Sequence, residues 1–213
     1  MSTSTPVNDS LAALPLFPLR SVLFPGATLH LKIFEARYLD LVGRCLREQR
    51  PFGVVCLRQG AEAGRGGATL NQIEEVGVLV AIDEVDSEQA GILRLRCRGT
   101  QRFRRTAPAR QLSDGLWVCD SEPLPEDELL RPVPAMAATV HALEQAIGTL
   151  QAQDALPFAP PFKLDDAGWV ANRWCELLPV SLAAKQRLMA LDDPTLRLSL
   201  VDEYLRGKNV VKG

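Results

Sequence analysis

Apolar and polar positions change period several times along this chain, and each change marks an element. Leu29, Leu31 and Ile33 alternate with Thr28, His30 and Lys32, the period of a half-buried strand. From Glu35 the period lengthens. Tyr38, Leu41, Val42, Cys45 and Leu46 recur at helical spacing, predicting a helix with one apolar stripe that ends before Pro51. Upstream, Leu14 to Leu19 reads as a strand in which Pro15 and Pro18 cannot donate to a ladder, so an edge strand or an early break is expected. Between the two strands, Pro25-Gly26 suits a type II turn: proline presets φ at the first central position and glycine accepts φ > 0 at the second.

Phe52 to Leu57 and Glu75 to Ile82 read as further strands, joined by a glycine-rich connector with Gly60, Gly64, Gly66 and Gly67. An acidic loop through Asp83, Glu84, Asp86 and Glu88 leads into a predicted hairpin. Ile92 to Cys97 run out, Gly99-Thr100 turn, and Gln101 to Thr106 return. Gly115 to Ser121, with Trp117 and Val118, supplies another strand. Many short strands separated by turn residues predict a closed or nearly closed β-barrel.

From Glu126 the period turns helical. Val133, Met136, Ala137, Val140, Leu143, Ile147 and Leu150 form a stripe on one long helix, with Pro132 and Pro134 suited to its first turn. After a Pro/Phe-rich loop (157–162), three short helices start at caps: Asp165 or Asp166, then Ser181, then Asp193 followed by Pro194. The expected fold class is therefore α+β. Residues 1–10 form a disordered tail, 11–123 a β-barrel subdomain with one helix, and 124–213 a helical subdomain.

The run Leu14-Pro15-Leu16-Phe17-Pro18-Leu19, Val22-Leu23-Phe24-Pro25-Gly26 and Ile33-Phe34-Glu35-Ala36-Arg37-Tyr38 resembles the opening of the Lon amino-terminal domain family. Gly99, Arg102 and Phe103 match its central "G..RF" pattern. Glu176 to Pro179, Ser181, Lys185-Gln186, Leu188, Asp192 and Arg197-Leu198 resemble its helical tail. The resemblance implies a PUA-like twisted β-barrel (a pseudobarrel) followed by a C-terminal helical subdomain. It also implies a module that, in the ATP-dependent Lon proteases, binds substrate proteins and helps assembly without a catalytic residue of its own. The partners so implied are unfolded or exposed apolar polypeptide segments, with a separate ATPase or protease to receive them.

Composition narrows the classes. A net charge of −2 gives no global attraction to nucleic acid or anionic lipid. No apolar run approaches the ~18 residues of a spanning helix, and the polar start, without basic residues, is no secretory signal. The 5 cysteines, Cys45, Cys56, Cys97, Cys119 and Cys175, are widely spaced on apolar faces, which predicts buried reduced thiols and a cytoplasmic protein.

Candidate chemistry is sparse. No phosphate loop exists, since Gly207-Lys208 is followed by Asn209 and lacks the leading glycine. Ser181 and Lys185, four apart, could touch as a general-base dyad, but a cap serine beside an exposed lysine explains them. His30 is expected on the solvent side of its strand, and two distant histidines offer no metal-ligand spacing. The paired acids Glu74-Glu75, Asp83-Glu84 and Glu126-Asp127-Glu128 read as solvated loop charges. Glu35, Arg37 and Tyr38 read as architecture at a strand-to-helix junction. No catalytic, cofactor or metal residue is expected.

One binding surface and one alternative to it are candidates. Trp117, Phe158 and Phe162 are candidates to line a groove for apolar segments, and equally to join the two subdomains. Arg94, Arg96 and Arg98 on one strand, with Arg102 and Arg104 on its hairpin partner, would form one basic patch. That patch is either an anion site, for RNA phosphate or an acidic tail, or a face neutralised by the neighbouring acids. No aromatic platforms interleave with these arginines, which argues against single-stranded RNA.

Overall fold

The computed structural model describes residues 11–58, 73–153, 155 and 157–211. The tail at 1–10 and the glycines from Gly60 to Gly67 lie outside the described residues. Seven strands, β1 (Leu11–Leu19), β2 (Thr28–Ile33), β3 (Phe52–Cys56), β4 (Val76–Gln89), β5 (Ile92–Arg105), β6 (Arg110–Gln111) and β7 (Trp117–Pro123), form one sheet. Its order is β2-β5-β4-β3-β1-β7-β6, and an additional β5–β7 pairing closes β5, β4, β3, β1 and β7 into a ring. β1 and β3 run parallel; the other pairs are antiparallel. The described residues also form five α-helices: α1 (Ala36–Glu48) between β2 and β3, then α2 (Ala137–Ala152), α3 (Ala167–Leu177), α4 (Leu182–Ala190) and α5 (Pro194–Gly207) after the sheet.

Closure depends on one long strand, β5, which pairs with β4 along one flank and takes two successive partners on the other. The first half of β5 pairs with β2 (Leu93 to Arg98), and its far end pairs with β7 (Phe103 to Arg105). Here the expected hairpin is corrected. Gly99-Thr100 is no turn; β5 runs straight through it, and the real hairpin joins β4 to β5 across Ala90-Gly91, where Gly91 has φ +80°. Gly99 serves a different need: a Cβ there would lie 2.6 Å from the Phe24 carbonyl oxygen. The expected acidic loop is likewise the second half of β4.

β1 is no edge strand either. It pairs with β7 up to Leu16 and with β3 from Leu16 on. Pro15 and Pro18 therefore each have one flank without a partner strand, where a missing N–H costs nothing. The Phe24–Ala27 turn is as expected, with Ala27 N–H donating to Phe24 O at 3.1 Å and Gly26 at φ +79°.

Two cores result. Inside the ring, Leu14, Leu16, Val55, Leu79, Trp117 and Cys119 gather about the fully buried Phe103. Gly53 and Gly77 make room for that ring; a Cβ on either would come within 2.6–2.7 Å of it. The larger core lies between the outer face of the sheet, α1 and the carboxyl-terminal helices. α1 buries Tyr38, Leu41, Val42 and Cys45 as its period predicts, while Leu46 is exposed. Tyr38 stacks on Phe17 with ring centroids 4.2 Å apart. The helical pattern starts later than expected: no helix occupies 126–133, a 3-10 turn spans Pro134–Met136, and Val133 is exposed. Asp166, Ser181 and Asp193 cap α3, α4 and α5 as expected.

Candidate functional site

The arginine cluster divides along β5. Arg94, Arg96 and Arg98 project from the face of β5 turned away from the larger core that holds Leu95 and Cys97, beside Lys32, His30 and Thr28 of β2. Across the other flank, Arg96 pairs with Glu84 and Arg98 Nη2 lies 3.4 Å from Asp83 Oδ1, so β4 supplies the neutralising acids. Pairing with Glu84 raises Arg96 above its ordinary pKa and lowers Glu84 below its own. Register shifts in the β4–β5 ladder then turn the alternation over. Arg102 points toward the carboxyl-terminal helices and is 3% exposed, while Arg104 lies near Glu75 at 3.8 Å. The five guanidinium groups do not form one patch, because the register shift between Gly99 and Arg102 turns Arg102 to the other face.

Arg102 enters a buried network at the seam between sheet and helices. Its Nη2 donates to Asp127 Oδ1 at 3.0 Å, and its Nη1 to Leu191 O at 2.6 Å. The same carboxylate takes Arg197 Nη1 on Oδ2 at 2.6 Å and Arg197 Nη2 on Oδ1 at 3.2 Å. Arg197 also donates to Asn172 Oδ1 at 3.0 Å and to the Leu191 carbonyl. Burial pushes the Arg102 pKa down, and Asp127 is the main charge opposing that shift. Asp127 is thus no solvated loop acid. It ties β5 to α5, and Gly168 on α3 lets it approach: a Cβ there would lie 2.8 Å from its Oδ2. Sequence reasoning missed this role, and the only local signal was the family pattern carrying Arg102 and Arg197.

Arg173 makes a second tie. Its Nη2 donates to Pro25 O in the β1–β2 turn at 2.9 Å and to Glu176 Oε1 at 2.7 Å. Burial pushes the Glu176 carboxyl up to about 7 against the pull of Arg173 and Lys185. The guanidinium also lies over Phe158 and Trp169, at 5.4 and 5.7 Å from the ring centroids. Phe158, Phe162 and Trp169 pack as a trio, whereas Trp117 belongs to the core inside the ring. The structure does not bring the three candidate aromatics together; Trp117 and Phe158 are 9% and 3% exposed.

Two of the clefts in the described surface border the candidate residues. One, of about 370 Å³, lies on the seam between Gln101, Glu126, Lys163 and Trp169. Another, of about 340 Å³, runs along β2 and is lined by Phe17, Leu29, His30, Phe34 and Tyr38. Among the described residues β2 pairs only with β5, and its other flank has no strand partner there. Gly99 N donates to Ala27 O at 2.9 Å at the head of that ladder. Bonded and non-bonded pairs alternate in an antiparallel ladder. Leu29, Leu31 and Ile33 are therefore the bonded positions, and Thr28 and His30 aim their N–H and C=O at the open flank. Phe34, just beyond β2, is 59% exposed.

Reactive chemistry finds no support. Ser181 Oγ accepts from Ala184 N at 3.2 Å, and Lys185 Nζ donates to Glu176 O at 3.1 Å, so the two do not form a dyad. All five cysteines are buried and free, and burial pushes Cys56 to about 11 and Cys97 and Cys175 to about 12. Among the described residues no cluster could hold a metal ion, and no helix is long and apolar enough to cross a membrane. Glu35 and Arg37 pair at 2.7 Å, and Arg37 Nη1 holds Gly115 O at 3.0 Å, an architectural use.

A ring-like mixed sheet followed by packed helices defines the class: an α+β domain with the architecture of Lon amino-terminal domains. The family model for the ATP-dependent protease La (LON) substrate-binding domain matches residues 13–207, and the chain belongs to that family. A solved Lon N-terminal domain protein from Xanthomonas campestris is 36% identical, with a TM-score of 0.72 over 90% of this chain and 97% of that one. The N-terminal domain of Mycobacterium avium complex Lon protease shares the fold at 17% identity and a TM-score of 0.56, over 91% and 98% of the two chains. The Lon protease of Paraburkholderia phytofirmans is 28% identical over 97% of this chain, which spans 27% of that protein. Only the non-catalytic domain is found along this chain, without a protease or ATPase module.

Proposed function

We propose that this chain is a non-catalytic polypeptide-binding module that takes unfolded or exposed apolar segments of other proteins. The observation that carries this reading is the match to a substrate-binding domain along nearly all of the chain. Open clefts without reactive groups fit it. A separate ATPase or protease is the second class of partner, since binding alone leaves the client unchanged. Micromolar affinity needs about 8 kcal/mol, which at about 25 cal/mol per Å² and after the cost of association demands on the order of 500 Å² of apolar contact. No buried core can supply that without opening, so the exposed grooves are the place for it. The arginine stripe favours internal neutralisation by β4 over an RNA site, because Arg96 and Arg98 already have carboxylate partners.

The test is a fluorescence titration with a reduced, carboxymethylated protein held unfolded at low salt. Saturable binding is expected. Binding no stronger than that of an inert folded protein of equal charge rejects the proposal.

A further inference from the structure

We propose that the open flank of β2 is where the client binds, as an added antiparallel or parallel strand whose residues alternate between acidic and apolar. This rests on the polypeptide-binding reading and names its site and substrate class. Three features meet there. The backbone of Thr28 and His30 offers N–H and C=O groups at strand spacing to an incoming chain, the condition for β-strand addition. Beside that edge lies the groove holding Phe17, Leu29 and Phe34, which accepts every second side chain of an added strand. On the other face, charge runs in columns. Asp86 and Glu84 of β4 stand opposite Arg94 and Arg96 of β5, and these stand opposite Lys32 and His30 of β2.

That sequence of columns ends on a basic strand. An incoming strand with carboxylates on this face sets opposite charge beside two adjoining columns that carry Arg94, Arg96 and Lys32, and its other face carries apolar side chains into the groove. Cross-strand opposite charges stabilise and like charges destabilise. The same columns oppose the other obvious occupant. Two copies paired edge to edge through β2 would set His30 and Lys32 of one against those of the next. An acidic, extended partner fits this edge, and a second copy does not.

The experiment uses the full chain and a fluorescein-labelled peptide of alternating valine and glutamate, long enough to span the 6 residues of β2. Anisotropy should show saturable binding, and the unlabelled peptide should displace the unfolded protein used above. N-methylating alternate amides blocks hydrogen bonding on one flank of the peptide only. One of the two alternate sets should weaken binding about tenfold, the loss expected for one or two hydrogen bonds, and the other should leave it nearly unchanged. Lysine in place of glutamate should also weaken binding about tenfold. His30→Pro, which removes an outward N–H without touching the β5 ladder, should weaken binding about tenfold; if that variant does not fold, the methylated peptides still decide. Equal effects of the two methylated sets overturn the proposal. So does unfolded protein that binds but is not displaced, although the polypeptide-binding reading then stands. If neither ligand binds, both readings fall. A dimer in sedimentation that the peptide disperses would give the edge to a second copy and overturn the choice of partner.

Discussion

Replacing Asp127 by asparagine tests whether the seam is held by charge. The substitution keeps the shape and removes the one carboxylate shared by Arg102 and Arg197, which are 3% and 1% exposed. Two guanidinium groups would then face each other with a neutral amide between them. Stripping one partner from a buried ion pair costs about 3–5 kcal/mol. Here the carbonyls of Met189 and Leu191 still accept from Arg102, and those of Leu188 and Leu191 from Arg197. The lower end, about 3 kcal/mol, is therefore expected. With a urea slope of roughly 2 kcal/mol per M for a domain of this size, the unfolding midpoint should fall by about 1.5 M. Asp192→Asn is the control. Asp192 also lies 3.4 Å from Arg102 but is 70% exposed, so its loss should shift stability by less than about 0.5 kcal/mol. Urea titrations followed by tryptophan fluorescence measure both. If Asp127→Asn lowers stability by less than about 1 kcal/mol, or no more than Asp192→Asn does, the seam is not held by this carboxylate.

Two glycines separate packing from propensity. Gly77→Ala puts a Cβ 2.5 Å from the Val54 carbonyl oxygen and 2.7 Å from Phe103, and should destabilise by about 1–3 kcal/mol in thermal melts. Gly148→Ala, in α2 with nothing within 4 Å, should stabilise by about 0.5–1 kcal/mol; equal effects of the two would refute the packing account. The Glu176 carboxyl, raised to about 7 in the folded protein from an ordinary 4.5, binds more protons folded than unfolded. Its contribution is present below pH 4.5 and lost as pH rises through 7, so Glu176→Gln should flatten a fall in stability over that window. Urea midpoints at the two ends of the window decide it; an unchanged slope sinks the assignment.

The local elements were legible in the residues themselves. The helical period from Tyr38 to Cys45, the turn at Pro25-Gly26 and the caps Asp166, Ser181 and Asp193 depend on interactions within a few positions, and each formed where the pattern placed it. The errors came where a distant partner decided the outcome. Gly99-Thr100 has the composition of a turn, yet β5 continues because Gly99 admits the Phe24 carbonyl and because two different strands pair with its two halves. Pro15 and Pro18 belong to a central strand because β1 changes partner at Leu16.

The same distinction holds for function. Residue pattern alone identified the family, ruled out a phosphate loop and named the arginines. Which of those arginines face water was beyond it: Arg102 and Arg96 differ only in the register that β4 imposes. Asp127 reads like any acid in a polar linker until α5 brings Arg197 against it. Period and capping are short-range and written in neighbouring residues, whereas desolvation and strand pairing depend on what the closed ring brings together.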